Sequence, residues 1–379
     1  MTKRKIRVGI LFGGRSGEHE VSLTSAQGIM KAIDTDKYEV VPIGITKQGR
    51  WMVGGDPMQA LRAAADMPPA LAALADAQAA APQTVLVPME PSRTALTTVT
   101  APLELDVIFP VLHGPYGEDG TVQGLLELTG LPYVGAGVMA SAVGMDKAVA
   151  KDVFRAHGLP VLPHCLVLRK TWEADSARVI ATCEVRLRYP MFTKPVNLGS
   201  SVGVSKVRDR AELTVGLNTA ARFDRKILVE QGIHGREIEV SVLGNDDPLA
   251  SVPGEIIPSR EFYSYAAKYI DEASELLIPA PISVEQTQQV RQLAVRAYQA
   301  VDCAGMARVD FLMDKATDEL WLSEINTIPG FTPISMYPKL WEATGISYTE
   351  LIDRLIQLAL QRHQDKGRSA TSFDVSTAT

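Results

Sequence analysis

Residues 306–330, MARVDFLMDKATDELWLSEINTIPG, are the stretch of this chain that decides its fold. Two runs that alternate apolar and polar residues flank the polar turn DKATDE, and this pattern predicts an antiparallel pair of strands. Side chains alternate between the faces of a strand, so Arg308 and Asp310 share one face of the first strand. By the same rule Glu324 and Asn326 share one face of the second strand.

If the two polar faces coincide, Asp310, Glu324 and Asn326 bring together three hard oxygen ligands, which suit Mg²⁺ and nucleotide phosphates. Ile325 and Ser323 are expected on the opposite, core-facing side. A solvated hairpin face that carries ordinary charges explains the same residues, so the hairpin alone leaves both interpretations open.

A second motif lies at 192–207, FTKPVNLGSSVGVSKV. Lys194 ends an apolar strand, and a glycine-serine loop that contains Ser200 and Ser201 follows it. Backbone N–H groups and hydroxyls of such a loop can wrap phosphate oxygens beside a fixed lysine charge, although the Walker A spacing is absent. A flexible turn is the alternative interpretation. In LHGPYGEDG, His113 ends a strand, where a histidine is more often structural than catalytic.

The N-terminal stretch 9–20, GILFGGRSGEHE, runs from a strand through a glycine turn into a helix. It lacks the G-x-G-x-x-G spacing, and Glu18 and Glu20 would repel a pyrophosphate at the helix entrance, which disfavours a dinucleotide site. The first 45 residues alternate strand and helix, which predicts the opening of a parallel α/β sheet.

Composition narrows the class of protein. The chain has 379 residues, enough for two or three domains, with a net charge of −6 and a pI of about 5.6. That charge does not favour nucleic acid or anionic membranes, and no apolar run approaches the roughly 18 residues of a membrane span. Three well-separated cysteines predict reduced core thiols in a cytoplasmic protein.

The remaining organisation is less regular. Residues 54–102 are rich in alanine and proline and predict a weakly patterned helix with exposed connectors, and 135–147 predict a glycine-punctuated hinge. A helix is expected at 348–363, and the polar end 366–379 is expected to be disordered.

Taken together, GGRSGEHEVS, LHGPYGEDG, MDK, KP..LGSSVG, EIEVSVLG, YAAKY, ARVDF and EINTIPGFTPISMYP resemble the D-alanine–D-alanine ligases of the ATP-grasp superfamily, over roughly residues 6–360. The resemblance implies an α/β (α+β) ATP-grasp fold in which two domains with antiparallel sheets sandwich ATP. The implied domains are an N-terminal parallel α/β domain (1–140) with the insertion 54–102, a central domain (141–229), and a C-terminal domain (230–365) with a lid loop (259–279).

The implied activity joins two D-alanines into D-alanyl-D-alanine through an acyl phosphate, for peptidoglycan precursors, cell-wall biogenesis and cell shape. The cofactors implied are ATP and two Mg²⁺ ions, with Mn²⁺ as an alternative. The partners implied are D-alanine and ATP, without nucleic acid or membrane, and the implied state is a cytoplasmic homodimer.

The resemblance also assigns roles to individual residues. The implied metal ligands are Asp310, Glu324 and Asn326. The implied ATP-binding residues are Lys147, Lys194, Ser200, Ser201, Glu230, Ile233, Glu237 and Lys268. The implied catalytic residues are Glu18, Ser200, Tyr269, Arg308 and His113. The implied substrate-binding residues are Glu18, His113, Arg308, Gly330, Ser335 and Met336.

Within these roles, Glu18, Ser200 and Tyr269 resemble a hydrogen-bonded triad that ties the lid loop down. Ligases that make D-alanyl-D-lactate tend to replace the lid tyrosine, so Tyr269 favours the dipeptide product. The alternatives are another ATP-grasp carboxylate–amine ligase, including the lactate-using type, and a catalytically inactive nucleotide-binding module.

Overall fold

The computed structural model describes residues 4–65, 83–86, 96–98, 103–258 and 275–370, in a mixed α/β arrangement of three sheets. The strands of the first sheet are Ile6–Gly13 (β1), Tyr38–Ile45 (β2), Trp51–Val53 (β3), Gln83–Leu86 (β4), Thr97–Thr98 (β5) and Val107–Val111 (β6). The strands of the second sheet are His164–Leu168 (β7), Met191–Pro195 (β8), Ser205–Val207 (β9) and Lys226–Gln231 (β10). The strands of the third sheet are Gly235–Gly244 (β11), Leu249–Ala250 (β12), Gly254–Ile257 (β13), Glu275–Leu277 (β14), Gly305–Asp314 (β15) and Leu320–Asn326 (β16).

The helices pack on these sheets and connect them. They are His19–Ala32 (α1), Pro57–Ala65 (α2), Thr121–Thr129 (α3), Val138–Met145 (α4), Lys147–Ala156 (α5), Arg169–Ala174 (α6), Ser176–Arg186 (α7), Arg210–Phe223 (α8), Val284–Ala300 (α9), Met336–Ala343 (α10) and Tyr348–Lys366 (α11). No helix within the described ranges is long and apolar enough to cross a membrane.

The first sheet has the strand order β5-β4-β3-β2-β1-β6, and β1 runs parallel to both β2 and β6. The predicted parallel opening is therefore confirmed. Ile10, Leu11 and Phe12 are all fully buried, as expected for a central strand that is covered on both faces. The short strands β4 and β5 fall inside the expected insertion and extend the sheet by antiparallel pairing, so this part of 54–102 adds to the sheet.

The second sheet is antiparallel, in the order β7-β10-β8-β9, and its apolar face packs against α7 and α8. Strand β10 crosses the expected domain limit at 229/230, and the limits of the domains stay a prediction. Cys165 and Cys183 are buried in this core, and all three cysteines are unbridged.

The third sheet contains the predicted hairpin, in which β15 pairs with β16 in antiparallel register. Val309, Phe311 and Met313 face a core that is covered by α9. The register shifts between Asp310 and Phe311, because Asp310 is opposite Glu324 whereas Phe311 is opposite Leu322. Ser323 is therefore the extra residue of a β-bulge, and regular alternation ends there.

Helix α11 follows the third sheet in sequence and packs against the first sheet. Its apolar side chains, among them Leu351 and Leu355, share one core with Val8, Ile10 and Phe109 of the first sheet. The N-terminal and C-terminal parts of the chain are therefore held together by apolar burial. Helix α11 ends at Lys366, and most of the expected tail, 371–379, lies outside the described residues.

The expected hinge at 135–147 contains helix α4 instead, so that prediction was wrong. Alanine and methionine are good helix formers, and the short helix is buried through Ala140 and Gly144. A Cβ atom added at Gly144 would lie 3.2 Å from Cγ2 of Thr327, so this glycine permits close packing on the segment that follows β16.

Replacement of Leu355 by alanine should test the shared core. Leu355 is fully buried among side chains of the first sheet, so Leu355→Ala should lower the free energy of unfolding by about 2–5 kcal/mol. The matched control is Gln361→Ala on an exposed position of the same helix. Urea denaturation followed by circular dichroism measures both variants, and equal unfolding midpoints would contradict the shared core.

Candidate active site

A cavity of about 690 Å³ lies between the second and third sheets. Its wall takes Lys194 and Glu230 from the second sheet and Glu237, Asp310 and Glu324 from the third. The polar faces of the two sheets therefore meet across one space. A cavity of this size is in the range that holds a nucleotide-sized ligand.

The polar faces of β15 and β16 coincide. Asp310 and Glu324 are directly opposite each other, and Nδ2 of Asn326 donates to Oδ2 of Asp310 at 2.9 Å. Arg308 donates from Nε and Nη2 to the two oxygens of Asp310, both at 2.7 Å, and its Nε also lies 3.0 Å from Oε2 of Glu239. The structure thus brings the three predicted ligands and Arg308 together.

Glu239 is a member of this group that sequence reasoning missed. It lies on β11 opposite Asp310, and its alternation with the buried Ile238 and Val240 was the signal that could have found it. Burial opposes the charge of Arg308, but Asp310 and Glu239 outweigh that effect and raise the pKa of Arg308 well above its ordinary value. The guanidinium therefore stays charged inside the protein.

The start of the glycine-serine loop is anchored to the residue pair that precedes β10. Asn197 donates from its backbone N and from Nδ2 to Oδ2 of Asp224, at 2.8 and 2.9 Å. Ser200 and Ser201 have φ angles of 52° and 58°, in the left-handed region that side chains rarely adopt. Strained backbone of this kind persists where the surroundings hold it, and it is frequent in ligand-binding loops.

The two predicted phosphate-binding lysines lie on the cavity wall and are paired in this structure. Lys147 donates to the carbonyl oxygen of Leu198 at 2.8 Å, and its Nζ lies 3.4 Å from Oε2 of Glu324. Lys194 donates to Oε2 of Glu230 at 2.5 Å. Burial opposes the charge of Lys194, but the charge of Glu230 outweighs it and raises the pKa of Lys194.

Glu230 has a second cation, Lys151, which sequence reasoning missed. Nζ of Lys151 lies 2.5 Å from Oε1 of Glu230, and both side chains are about 2% exposed. Burial raises the pKa of Glu230, but the charges of Lys151 and Lys194 outweigh it and lower this pKa to about 2. Lys151 follows Lys147 by four residues, so the two lie on one helix face, and that spacing was the available signal.

The N-terminal loop reaches the glycine-serine loop through Glu18. The hydroxyl of Ser200 donates to Oε1 of Glu18, which joins the first sheet's loop to the central part of the chain. Gly114 has a φ of +75°, and a Cβ atom added there would lie 2.8 Å from Oε2 of Glu18, so a side chain at this position would be strained and would displace Glu18. The third member of the expected triad, Tyr269, lies outside the described residues, as does Lys268.

His113 is buried beside this loop. Its Nδ1 lies 3.0 Å from the carbonyl oxygen of Ile328 and 3.5 Å from Oε1 of Glu118, and its Nε2 lies 3.3 Å from Oγ of Ser25. Burial disfavours the charged ring, but the contact with Glu118 and the charge of Glu18 outweigh it and raise the pKa of His113. Sequence reasoning missed Ser25 and Glu118; the acidic EDG stretch beside His113 was the only signal for Glu118.

Gly330 and Ser335 lie in the segment that connects the hairpin to α10, and Met336 is the first residue of that helix. Oγ of Ser335 accepts from the backbone N of Thr332 at 3.0 Å, and a Cβ atom added at Gly330 would lie 3.0 Å from that same Oγ. Ser335 precedes α10 as its N-cap residue. The side chain of Met336 is buried in a core with Ile256 and Leu340, so its backbone is the part placed near Ser335.

Ile233 lies on the cavity wall in the segment that connects β10 to β11. Glu237 lies on the same wall near the start of β11. No group of three or more His, Cys, Asp or Glu side chains is placed to hold a metal ion in the part of the chain that the structure describes. The predicted metal ligands are two carboxylates and one amide, which is the smaller donor set that Mg²⁺ uses together with substrate phosphates.

Comparison with known proteins identifies the family. The family model described as D-ala D-ala ligase N-terminus matches residues 7–136, and the model described as D-ala D-ala ligase C-terminus matches residues 153–357. The D-alanine–D-alanine ligase of Heliobacterium modesticaldum is 51% identical over 371 residues, which cover 97% of this chain and 98% of that relative. The enzyme of the same name from Natranaerobius thermophilus is 48% identical over 377 residues, which cover 98% and 100%.

Solved structures of D-alanine ligases superpose on this chain. The D-alanine-D-alanine ligase of Coxiella burnetii superposes with a TM-score of 0.81 at 38% identity and covers 97% of both chains. VanG D-Ala:D-Ser ligase of Enterococcus faecalis has a TM-score of 0.82 at 34% identity and covers 94% of this chain and 100% of its own. The chain therefore belongs to the D-alanine–D-alanine ligase family and has the ATP-grasp fold of that family.

Proposed function

We propose that this protein is an ATP-dependent ligase that joins two D-alanines into D-alanyl-D-alanine, with ADP and phosphate as the other products, to supply peptidoglycan precursors. The observation that carries the proposal is the hydrogen bond from Ser200 to Glu18. It places a carboxylate suited to an amino acid's ammonium group directly against a loop suited to phosphate. An amino acid and a nucleotide would therefore react at one place.

The nucleotide would occupy the cavity between the two antiparallel sheets. Glu230 and the backbone near Ile233 would contact the adenine base, and Glu237 would contact the ribose. The phosphates would lie at the glycine-serine loop, where Lys147 and Lys194 supply positive charge. A net charge of −6 makes such local cations necessary, because the chain as a whole repels ATP.

The first D-alanine would bind with its ammonium group on Glu18 and with His113 nearby. Its carboxylate attacks the γ-phosphate of ATP, and ADP leaves as an acyl phosphate forms. The amine of the second D-alanine then attacks the acyl carbon, the peptide bond forms, and inorganic phosphate leaves. Arg308 and the backbone N–H of Gly330 would stabilise the oxyanion of this tetrahedral intermediate.

The second D-alanine would be held by its carboxylate at Ser335 and the adjacent backbone of Met336. The packing of Gly330 against Ser335 supports this placement, because the oxyanion donor and the carboxylate site are then neighbours. An acyl phosphate hydrolyses if water reaches it, so the reaction needs a cover. The lid loop 259–279 with Lys268 and Tyr269 stays the predicted cover, and 259–274 lie outside the described residues.

The donors on β15 and β16 fit a divalent cation. Asp310 and Glu324 face each other on the cavity wall, and Asn326 donates through Nδ2, so its Oδ1 is the atom that suits a metal. Arg308 and Asn326 use only part of the acceptor capacity of Asp310, since a carboxylate has about four lone-pair sites. We infer that these three residues hold two Mg²⁺ ions, with Mn²⁺ as an alternative, which would neutralise phosphate charge.

Two broader proposals accompany this function. Three buried and unbridged cysteines support a reducing compartment, and we propose the cytoplasm. The homodimer implied by the family stays a prediction, as do the roles in cell-wall biogenesis and cell shape.

ADP release from the purified protein with ATP and Mg²⁺ tests the proposed function. We expect release that depends on D-alanine and that is accompanied by D-alanyl-D-alanine, because one amino acid fills both substrate positions. D-Serine and D-lactate, each added with D-alanine, test other second substrates. Release that requires D-serine or D-lactate would replace the dipeptide assignment, and L-alanine serves as the stereochemical control.

Glu324→Gln tests the metal assignment. The amide keeps the shape of the side chain but loses the charge that a divalent cation needs, so turnover should fall at least about 100-fold while the fold is kept. The matched control is Glu319→Gln at the exposed turn of the same hairpin. Steady-state ADP release over a Mg²⁺ titration, with circular dichroism, measures both, and wild-type turnover in Glu324→Gln would exclude the assignment.

Ser200→Ala tests the contact between the two loops. Loss of a hydrogen bond to a charged group should raise the KM for D-alanine about tenfold or more, because Glu18 loses the group that orients it. Ser205→Ala, in β9 of the same segment, is the control. Initial rates over a range of D-alanine concentrations measure the effect, and equal KM values in the two variants would argue against the contact.

A further inference from the structure

Lys151 is buried beside Glu230 and is absent from the wall of the cavity. It is 2% exposed, its Nζ is 2.5 Å from Oε1 of Glu230, and it donates to the carbonyl oxygen of Ser323 at 3.1 Å. The β-bulge leaves Ser323 outside the ladder, so its carbonyl is available to Lys151. One buried ammonium therefore connects α5, β10 and β16.

The two oxygens of Glu230 have different cations. Oε2 accepts from Lys194, which is 19% exposed and lies on the cavity wall, whereas Oε1 is paired with Lys151 in the interior. A carboxylate held at both oxygens by cations from two different elements has one fixed orientation. Glu230 also lies on the cavity wall, so that orientation presents a fixed acceptor to a ligand.

We propose that Lys151 is a positioning residue that makes the site selective for adenine over 6-oxo purines, by holding Glu230 as an ionised acceptor at the base end of the cavity. The inference rests on the proposed use of ATP. An ionised carboxylate accepts hydrogen bonds and donates none. The 6-amino group of adenine donates to it, whereas the 6-oxo group of hypoxanthine or guanine places two acceptors against each other.

Loss of Lys151 would change the chemistry of Glu230 and not only its position. Oε1 would remain buried without its cation, and burial favours the neutral acid. A protonated carboxyl group carries an O–H donor and can meet a 6-oxo group. The burial of Glu230 raises its pKa, and the charges of Lys151 and Lys194 together lower that pKa to about 2, which agrees with this view.

The test compares ATP with inosine triphosphate, which differs from ATP in the 6-position of the base by an oxo group in place of the amino group. Lys151→Met removes the charge and keeps the length of the side chain. We expect the ratio of kcat/KM for ATP to that for inosine triphosphate to fall at least about tenfold, with the change mainly in the KM for ATP.

Lys226→Met is the matched control. Lys226 is 12% exposed and forms an ion pair of the same length, 2.5 Å, with Asp146, the N-cap residue of the same helix α5. It is absent from the wall of the cavity. Its loss should lower the melting temperature in the same way but leave the nucleotide ratio unchanged. An unchanged ratio in Lys151→Met, or an equal change in both variants, would overturn the proposal.

Two further measurements distinguish failure of this proposal from misfolding of the variant and from failure of the proposed function. If Lys151→Met does not fold, Lys151→Gln offers a neutral donor of similar reach and is judged by the same ratio. If the wild-type protein releases no ADP with D-alanine, the proposed function fails, and calorimetric binding of ADP against inosine diphosphate still measures base selectivity. Equal affinity of the wild-type protein for the two diphosphates would overturn the inference, whatever the reaction.

Discussion

The constraint on which the site depends is the burial of opposite charges between two antiparallel sheets. Glu230 is buried, and its charge can be buried only because Lys151 and Lys194 contact its two oxygens. A buried ion pair often adds little net stability, because desolvation offsets the attraction. What such pairs supply here is orientation, since Arg308 likewise holds both oxygens of Asp310, which lies on the opposite wall.

Much of the fold could be predicted from local pattern, because the period of a strand or helix depends on near neighbours in sequence. The hairpin 306–326 and helix α11 are examples. The segment 135–147 shows the limit of this reasoning. Its glycines suggested a hinge, but Gly144 lies inside a buried helix, where its small size lets the helix approach Thr327. A glycine selected for close packing cannot be told from a flexible one without its tertiary neighbours.

The residues of the site also divide into those that local sequence pattern predicts and those that only the folded structure reveals. Asp310, Glu324 and Asn326 could be grouped from sequence because strand alternation places them on facing surfaces. For Lys151 the four-residue spacing from Lys147 indicates a helix face but not a partner, because Glu230 lies on a strand far along the chain and a lysine inside a helix normally points to solvent. Ser323 was assigned to the core face and instead lies on the cavity wall, because strict alternation was assumed across a β-bulge. The bulge shows in the sequence only as two successive polar residues, Ser323 and Glu324, after the buried Leu322.

The pairing of the cavity's cations bears on how an acidic chain accepts an acidic nucleotide. In this structure Nζ of Lys147 lies 3.4 Å from Oε2 of Glu324 and donates to the carbonyl oxygen of Leu198 in the glycine-serine loop, so this lysine is already paired with a carboxylate. Under the proposed function, Glu324 would help to hold a divalent cation that supplies positive charge beside the phosphates, and Lys147 would then be available to a phosphate. Ion pairs would then be exchanged and not created, so little desolvation would be added when the nucleotide binds.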